Sequence, residues 1–226
     1  MKSIDHALIM AAGRGVRMMP LTESIPKPMA PYNGSTLIAN GIRKLRPHIK
    51  NVHITVGYKG AVLAEHVISL GVDSVLNTEG NGNVWWLFNT LMRYLDAPVC
   101  ILTADNVTDI DFDILAKEYF HLGEPACMVV PVEPVVGLEG DFIHQKENLV
   151  LELSRHKPSS TYCSGIQVLN PALINRLVEP VDDFYALWSQ LIEQKRLYCS
   201  DIYPSQWYTV DTIDQLKALN ERKSKE

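Results

Sequence analysis

Five short apolar runs, separated by four stretches of helical periodicity, fill the first 130 residues and narrow the choice of fold more than any other feature. The runs His6–Ala11, Val52–Val56, Asp73–Asn77, Val99–Thr103 and Ala126–Pro131 have strand length and are apolar and β-branched in character. Thr36–Leu45, Ala61–Leu70, Val84–Leu95 and Phe112–His121 read as helices between them. Apolar, β-branched runs alternating with amphipathic stretches predict a doubly wound, mostly parallel α/β sheet wrapped by helices. Within Val84–Leu95 the stripe Trp85, Phe88, Met92, Leu95 marks an expected buried face.

After Pro131 the pattern changes. Pro134, Gly137, Gly140 and Pro158 punctuate strand-like Leu149–Ser154 and Gly165–Leu169, which predicts a small antiparallel, β-rich insertion. Helical Ala172–Val178 and Phe184–Gln194, strand-like Arg196–Ile202 and a last helix, Thr212–Arg222, follow, with Glu221–Glu226 read as a frayed tail. One domain over residues 1–226 is the economical reading, with a first half to about 130 and a β-rich second half from about 131. The net charge of -5 argues against a nucleic-acid partner, and no apolar run approaches the length of a membrane span. The N-terminus reaches Asp5 before an apolar region develops, so no signal peptide is read. Cys100, Cys127, Cys163 and Cys199 form no C-x-x-C pair, which predicts reduced, mostly buried thiols in a cytoplasmic protein.

The first strand ends in Ala11-Ala12-Gly13-Arg14-Gly15-Val16-Arg17-Met18-Met19-Pro20-Leu21-Thr22. Small residues and glycines after a strand let backbone N–H groups approach phosphate oxygens. The chain has no G-x-x-x-x-G-K-[ST] run, and Met18 stands where a dinucleotide fingerprint needs its third glycine. Arg17 follows the glycines, and Pro26 and Pro28 stiffen the chain around Lys27, aiming one ammonium. Just past the fourth strand, Asp105 occupies the edge where open α/β sheets bind ligands. Asp111 is expected to cap the next helix, with Asp113 in its first turn.

The run Ala-Ala-Gly-x-Gly-x-Arg-Met-x-Pro-Leu-Thr followed by Pro-Lys-Pro-Met resembles the signature of the NTP-transferase family, the sugar-1-phosphate nucleotidylyltransferases with the related phosphocholine cytidylyltransferases. The resemblance implies a fold shared with GT-A glycosyltransferases. It also implies transfer of NMP from an NTP onto a phosphorylated small molecule with release of pyrophosphate. Ala11, Ala12, Gly13 and Gly15 would cradle the nucleotide, while Arg17 and Lys27 would be the catalytic cations. Val16 departs from the Ser or Thr of many members.

Asp105 matches the family's Mg2+-binding acid. A second acid is expected in Trp207-Tyr208-Thr209-Val210-Asp211-Thr212, where Thr209 replaces the sugar-type acid and Asp211 matches the cytidylyltransferase pattern. Asp211 then either holds Mg2+ with Asp105 or caps the last helix. Lys157-Pro158 resembles the element that holds the acceptor phosphate, with Lys157 as a solvated surface residue the other reading. Gly165 lies in a strand resembling the one that passes the acceptor.

Asn81 and Asn83 stand where the family reads the base. Trp86, off the apolar stripe, reads as an exposed aromatic stacking on the acceptor or as a partly covered surface residue. The acceptor implied is a sugar 1-phosphate. The alternative is CTP with phosphocholine or a similar small phosphate or phosphonate. From another class, Thr209 and Val16 motivate a catalytically silent nucleotide-binding regulator. The base, the acceptor and any homo-oligomer stay open.

Overall fold

Along the first strand, Ala7 and Ile9 point to one side and Leu8 to the other, and all three are buried. The computed structural model, which describes residues 2–135 and 140–223, shows what covers them. Gly137 and the last three residues of the tail lie outside the described residues. In chain order the first half comprises β1 (His6–Met10), α1 (Leu21–Ser24), β2 (Pro31–Tyr32), β3 (Ser35–Thr36), α2 (Leu37–Leu45), β4 (Asn51–Val56), α3 (Gly60–Ser69), β5 (Ser74–Asn77), α4 (Trp85–Asn89), β6 (Val99–Thr103), β7 (Asn106–Asp109) and α5 (Phe112–His121). Then come β8 (Cys127–Val132), β9 (Phe142–Lys146), β10 (Leu149–Ser154), β11 (Tyr162–Leu169), α6 (Pro171–Leu177), α7 (Phe184–Glu193), β12 (Leu197–Cys199), β13 (Gln206–Thr209) and α8 (Ile213–Lys223).

Nine strands form the main sheet in the order β5-β4-β1-β6-β11-β8-β12-β10-β9. The β5-β4-β1-β6 part is parallel, and β11 enters it antiparallel beside β6. One face packs Ala7, Ile9, Ile54 and Leu102 on Ile38, Leu63 and Leu115 of α2, α3 and α5. The other packs Leu8, Val99 and Ile101 on Phe88, Ile174 and Leu187 of α4, α6 and α7. The antiparallel strands of the second half extend this same sheet. Connections leave β1 toward β4 on one side and reach β6 on the other, so the strand order reverses between β1 and β6. A crevice opens at the C-terminal ends of such strands.

Three local readings change. The helix expected over Val84–Leu95 stops at Asn89. Thr90 is extended, its hydroxyl donates to the Trp86 carbonyl at 2.7 Å and accepts from the Met92 N–H at 3.2 Å, and a 3-10 turn, Leu91–Tyr94, follows. A β-branched hydroxyl competing for backbone groups ends the helix. Trp86 is consequently not an exposed stacking residue: it is 1% exposed, in the core, with its indole N–H donating to the Asn83 carbonyl at 3.1 Å. Finally, Glu221–Lys223, read as frayed, belong to α8.

Asp111 caps α5 as the sequence implies, accepting from the Asp113 and Ile114 N–H groups. The four cysteines are free thiols, with Cys100, Cys127 and Cys199 buried and Cys163 partly so. Burial pushes the Cys100 thiol up to about 12. No described helix is long and apolar enough to cross a membrane.

Removing a large, fully packed side chain costs its transfer energy plus the cavity left behind. Trp86→Ala is therefore expected to lower stability by roughly 3–5 kcal/mol in urea unfolding. A change within about 0.5 kcal/mol would return Trp86 to the surface.

Candidate functional site

The crevice between β1 and β6 is walled by the loop after β1. The Ala11 N–H donates to the Thr55 hydroxyl at 3.0 Å, and the Ala12 carbonyl accepts from the Tyr58 N–H at 3.0 Å. Gly57 permits this approach, since a Cβ there would fall 2.7 Å from the Ala12 oxygen. Gly15 has φ +64°, and a Cβ on it would lie 2.7 Å from Lys27 Cβ. Its glycine character thus serves the left-handed turn and lets the Lys27 stem run against the loop backbone. The Gly15 carbonyl is held by the Met18 N–H at 2.9 Å and the Thr22 hydroxyl at 3.0 Å.

Lys27 carries its ammonium to the centre of the site. Nζ lies 2.7 Å from Asp105 Oδ2 and 2.9 Å from Asp211 Oδ1, and Arg17 approaches Asp211 Oδ1 at 3.0 Å. The Lys27 side chain is 11% exposed and that of Arg17 72%, so one cation is fixed in place and the other faces the opening. Asp105 leaves the end of β6, where the Ala104 N–H bonds to the Met10 carbonyl at 3.0 Å.

Asp211 follows β13, which pairs antiparallel with β7 in the register Asn106↔Thr209. A further bond from the Val210 N–H to the Asp105 carbonyl, 2.9 Å, ties the two acidic segments together. Behind them, Met18, Ala30, Tyr32, Leu37, Val210 and Leu216 form a separate apolar cluster joining the loop to α8.

Asp211 does not cap α8. Thr212 Oγ1 accepts from the Gln215 N–H at 3.2 Å, and Gln215 Oε1 accepts from the Thr212 N–H at 3.0 Å and the Asp211 N–H at 2.6 Å. This reciprocal capping box leaves the Asp211 carboxylate to its cations. Burial raises its pKa, but the Lys27 hydrogen bond and charge, the Arg17 charge and the Thr209 hydroxyl outweigh that and hold it below the ordinary 3.8. Thr209, where an acid is missing, donates its hydroxyl to Asp211 Oδ2 at 3.2 Å.

Ala12, Gly13, Asn81 and Asn83 line a chamber of about 490 Å3 beside Asp105, together with Arg14 and Tyr58. Asn83 also accepts from the Phe184 N–H through Oδ1 at 3.1 Å, so it links this chamber to α7. A second chamber of about 640 Å3 is lined by Asn83, Gly165, Asp141, Arg155, Asp183, Tyr185 and Trp188. Gly165, φ +82°, passes near Thr103 because Asn106 Nδ2 and Trp207 Nε1 both donate to the Ser164 carbonyl, at 2.9 and 3.1 Å.

Lys157 is outside this cleft. Its ammonium pairs with Glu152 at 2.7 Å on the surface, and Arg155, two residues earlier, lines the cleft and meets Asp141 at 3.3 Å. Sequence reasoning missed Arg155, Asp141 and the α7 residues. The turn at Asp183, which caps α7 by accepting from the Ala186 N–H at 2.8 Å, was the available signal.

Among the described residues no group of three His, Cys, Asp or Glu side chains converges for a metal. Two carboxylates converge instead, and their oxygens already share one cation. Mg2+ is usually held by one or two carboxylates with waters and substrate phosphates completing the shell, so Asp105 and Asp211 form a fitting donor set.

A sequence model of the family described as nucleotidyl transferase matches residues 6–216. A mannose-1-phosphate guanyltransferase from Pichia angusta is 27% identical over 220 residues, covering 90% of this chain and 60% of that protein. The catalytic subunit beta of a mannose-1-phosphate guanylyltransferase from Drosophila melanogaster is 22% identical over 210 residues, covering 87% of this chain and 57% of that protein. The chain thus spans about 60% of the length of these relatives. The structure of an inositol-1-phosphate CTP transferase from T. maritima superposes with a TM-score of 0.77 at 17% identity, covering 99% of this chain and 96% of that one.

Because the folded-state pKa of Asp211 lies below its unfolded value, its stabilisation is complete above the unfolded value and is lost as pH falls through the folded one. In urea unfolding, the stability gap between the native chain and Asp211→Asn is expected to be open at pH 7 and to close below about pH 4. Thr212→Ala removes a cap and should cost about 1 kcal/mol at both pH values. A gap at Asp211 that ignores pH would contradict the charge pairing.

Proposed function

The chain belongs to the nucleotidyl transferase family, and from that premise we propose that it moves a nucleoside monophosphate from an NTP onto a phosphorylated sugar, releasing pyrophosphate. The supporting observation is the convergence of Lys27, Arg17, Asp105 and Asp211 at the sheet's switch point. In this reaction an acceptor phosphate oxygen attacks the α-phosphorus in line while pyrophosphate leaves on the opposite side. The attacking oxygen is already anionic, so the site is asked for positioning and charge stabilisation rather than a general base. Arg17, at the opening, braces the leaving pyrophosphate. Lys27, held between the two carboxylates, neutralises charge around the α-phosphate. The N–H groups around Gly13 and Gly15 receive phosphate oxygens, and Asn81 and Asn83 read the base.

Asp105 and Asp211 would hold Mg2+, which when bound supplies charge neutralisation on the phosphates. The acceptor occupies the chamber between Gly165 and α7. That chamber also supports a second reading. Asp141, Asp183, Tyr185 and Trp188 line it, with Arg155 its cation. Carboxylates and aromatic faces favour a cationic amine, as in phosphocholine with CTP. A screen of NTPs against sugar phosphates and phosphorylated amino alcohols separates the readings, and release of no pyrophosphate with any pair would leave a silent nucleotide binder.

Removing one preorganised charge donor costs on the order of a hundredfold in turnover. Arg17→Ala and Lys27→Ala are each expected to show this loss in kcat while remaining folded, and activity is expected to disappear with chelator and return with Mg2+. Folded variants with native turnover would overturn the assignment of the cations.

A further inference from the structure

Away from the cleft, a cavity of about 320 Å3 lies between α2, the β7–β13 ribbon and α8. Its size falls within the range of about 300–1,000 Å3 typical of small-molecule sites. The floor is aliphatic, and Tyr32, Phe112 and Tyr208 supply aromatic walls. Among the described lining residues are Arg43, Lys44 and Arg222 and no Asp or Glu, in a chain whose net charge is -5. Lys44 donates to the Thr108 carbonyl at 2.7 Å and faces Asp109 at 3.7 Å, while the Arg222 guanidinium lies 4.9 Å from the Tyr208 ring centroid.

A second observation comes from the helix itself. Gly41 stands in the middle of α2, where glycine disfavours the helix, yet among the described residues, its own helix backbone and chain neighbours aside, a Cβ placed there would meet just Ile9 Cδ1, at 3.9 Å. Local packing would accept a larger residue at this position. What the glycine preserves is open volume in the cavity wall.

We propose that this cavity is a second ligand site, which takes a small anionic molecule with a flat aromatic body. The ring enters between the tyrosines over the aliphatic floor, and the anion meets Arg43, Lys44 and Arg222 at the rim. The proposal does not depend on the nucleotidyl transfer reading, because none of these side chains belongs to the catalytic cluster. Ala104 and Asn106, which flank Asp105, form part of the wall, so the site backs onto the ribbon that carries the acids.

The test titrates the full chain calorimetrically with 2-naphthyl phosphate, and with 2-naphthoate, 2-naphthol and inorganic phosphate as separate arms. The naphthyl phosphate is expected to bind one site, with 2-naphthol and inorganic phosphate each at least tenfold weaker, and 2-naphthoate shows whether a carboxylate serves as well as a phosphate. Binding should weaken at least tenfold in the Arg43→Glu, Lys44→Glu double variant and in Gly41→Leu, which fills the cavity. It should persist unchanged in Lys27→Met. Circular dichroism confirms folding, and the two surface charge reversals keep the test valid if Gly41→Leu does not fold. Failure of naphthyl phosphate to bind overturns the proposal, as does native affinity in the charge-reversed variant. Loss of binding in Lys27→Met would instead place the probe in the catalytic cleft and equally overturn it.

Discussion

One ammonium holds the site together. Lys27 bonds to carboxylates 78 and 184 positions further along the chain, so three distant segments share a single point charge. Such pairs contribute little net stability when formed, yet removing one partner leaves a charge uncompensated. The arrangement therefore specifies geometry more than it adds to folding energy. Its support is apolar: Met18, beside Arg17, and Val210, beside Asp211, are both fully buried in the small cluster under α8. The loop and the last helix meet through this apolar surface, and the charged residues stand next to it in sequence.

One carbonyl ties both acidic segments to the strand that passes the acceptor chamber. Ser164 accepts from Asn106, next to one acid, and from Trp207, on the strand leading to the other. The bend at Gly165 then brings the antiparallel β11 beside the end of β6, where a side chain in the same backbone conformation would be strained. Nucleotide chamber and acceptor chamber meet at this crossing. Asn83 spans them as well, since its side chain holds the start of α7 while its residue lines both spaces.

Much of this was legible in the sequence where a period or a covalent constraint wrote it. The parallel strands announced themselves as apolar, β-branched runs, and Gly15 and Lys27 stood out because glycine permits a left-handed turn and flanking prolines restrict the backbone. The β7–β13 ribbon was not legible: Asn106–Asp109 and Gln206–Thr209 lack an apolar run, and only their mutual pairing makes them strands. Trp86 was misplaced because the helix period was carried through Thr90, whose side chain breaks it. Lys157 drew attention by resemblance, whereas Arg155, just after β10, is the basic residue that lines the cleft. For Asp211 the signal was present in Thr212-Ile213-Asp214-Gln215, a capping-box spacing that makes the acid unnecessary as a cap.

The buried thiols have a further consequence. Thiolate is the form that reacts with alkylating reagents, and desolvation raises all four cysteines, Cys100 and Cys163 to about 12. Cys163 is partly exposed, but Cys100, Cys127 and Cys199 lie buried on the sheet strands β6, β8 and β12. Reagent reaches those sulfurs only when the sheet itself opens. Alkylation of these three thiols is thus a clock for the chain's rarest fluctuations, and it reads the interior without any label being introduced.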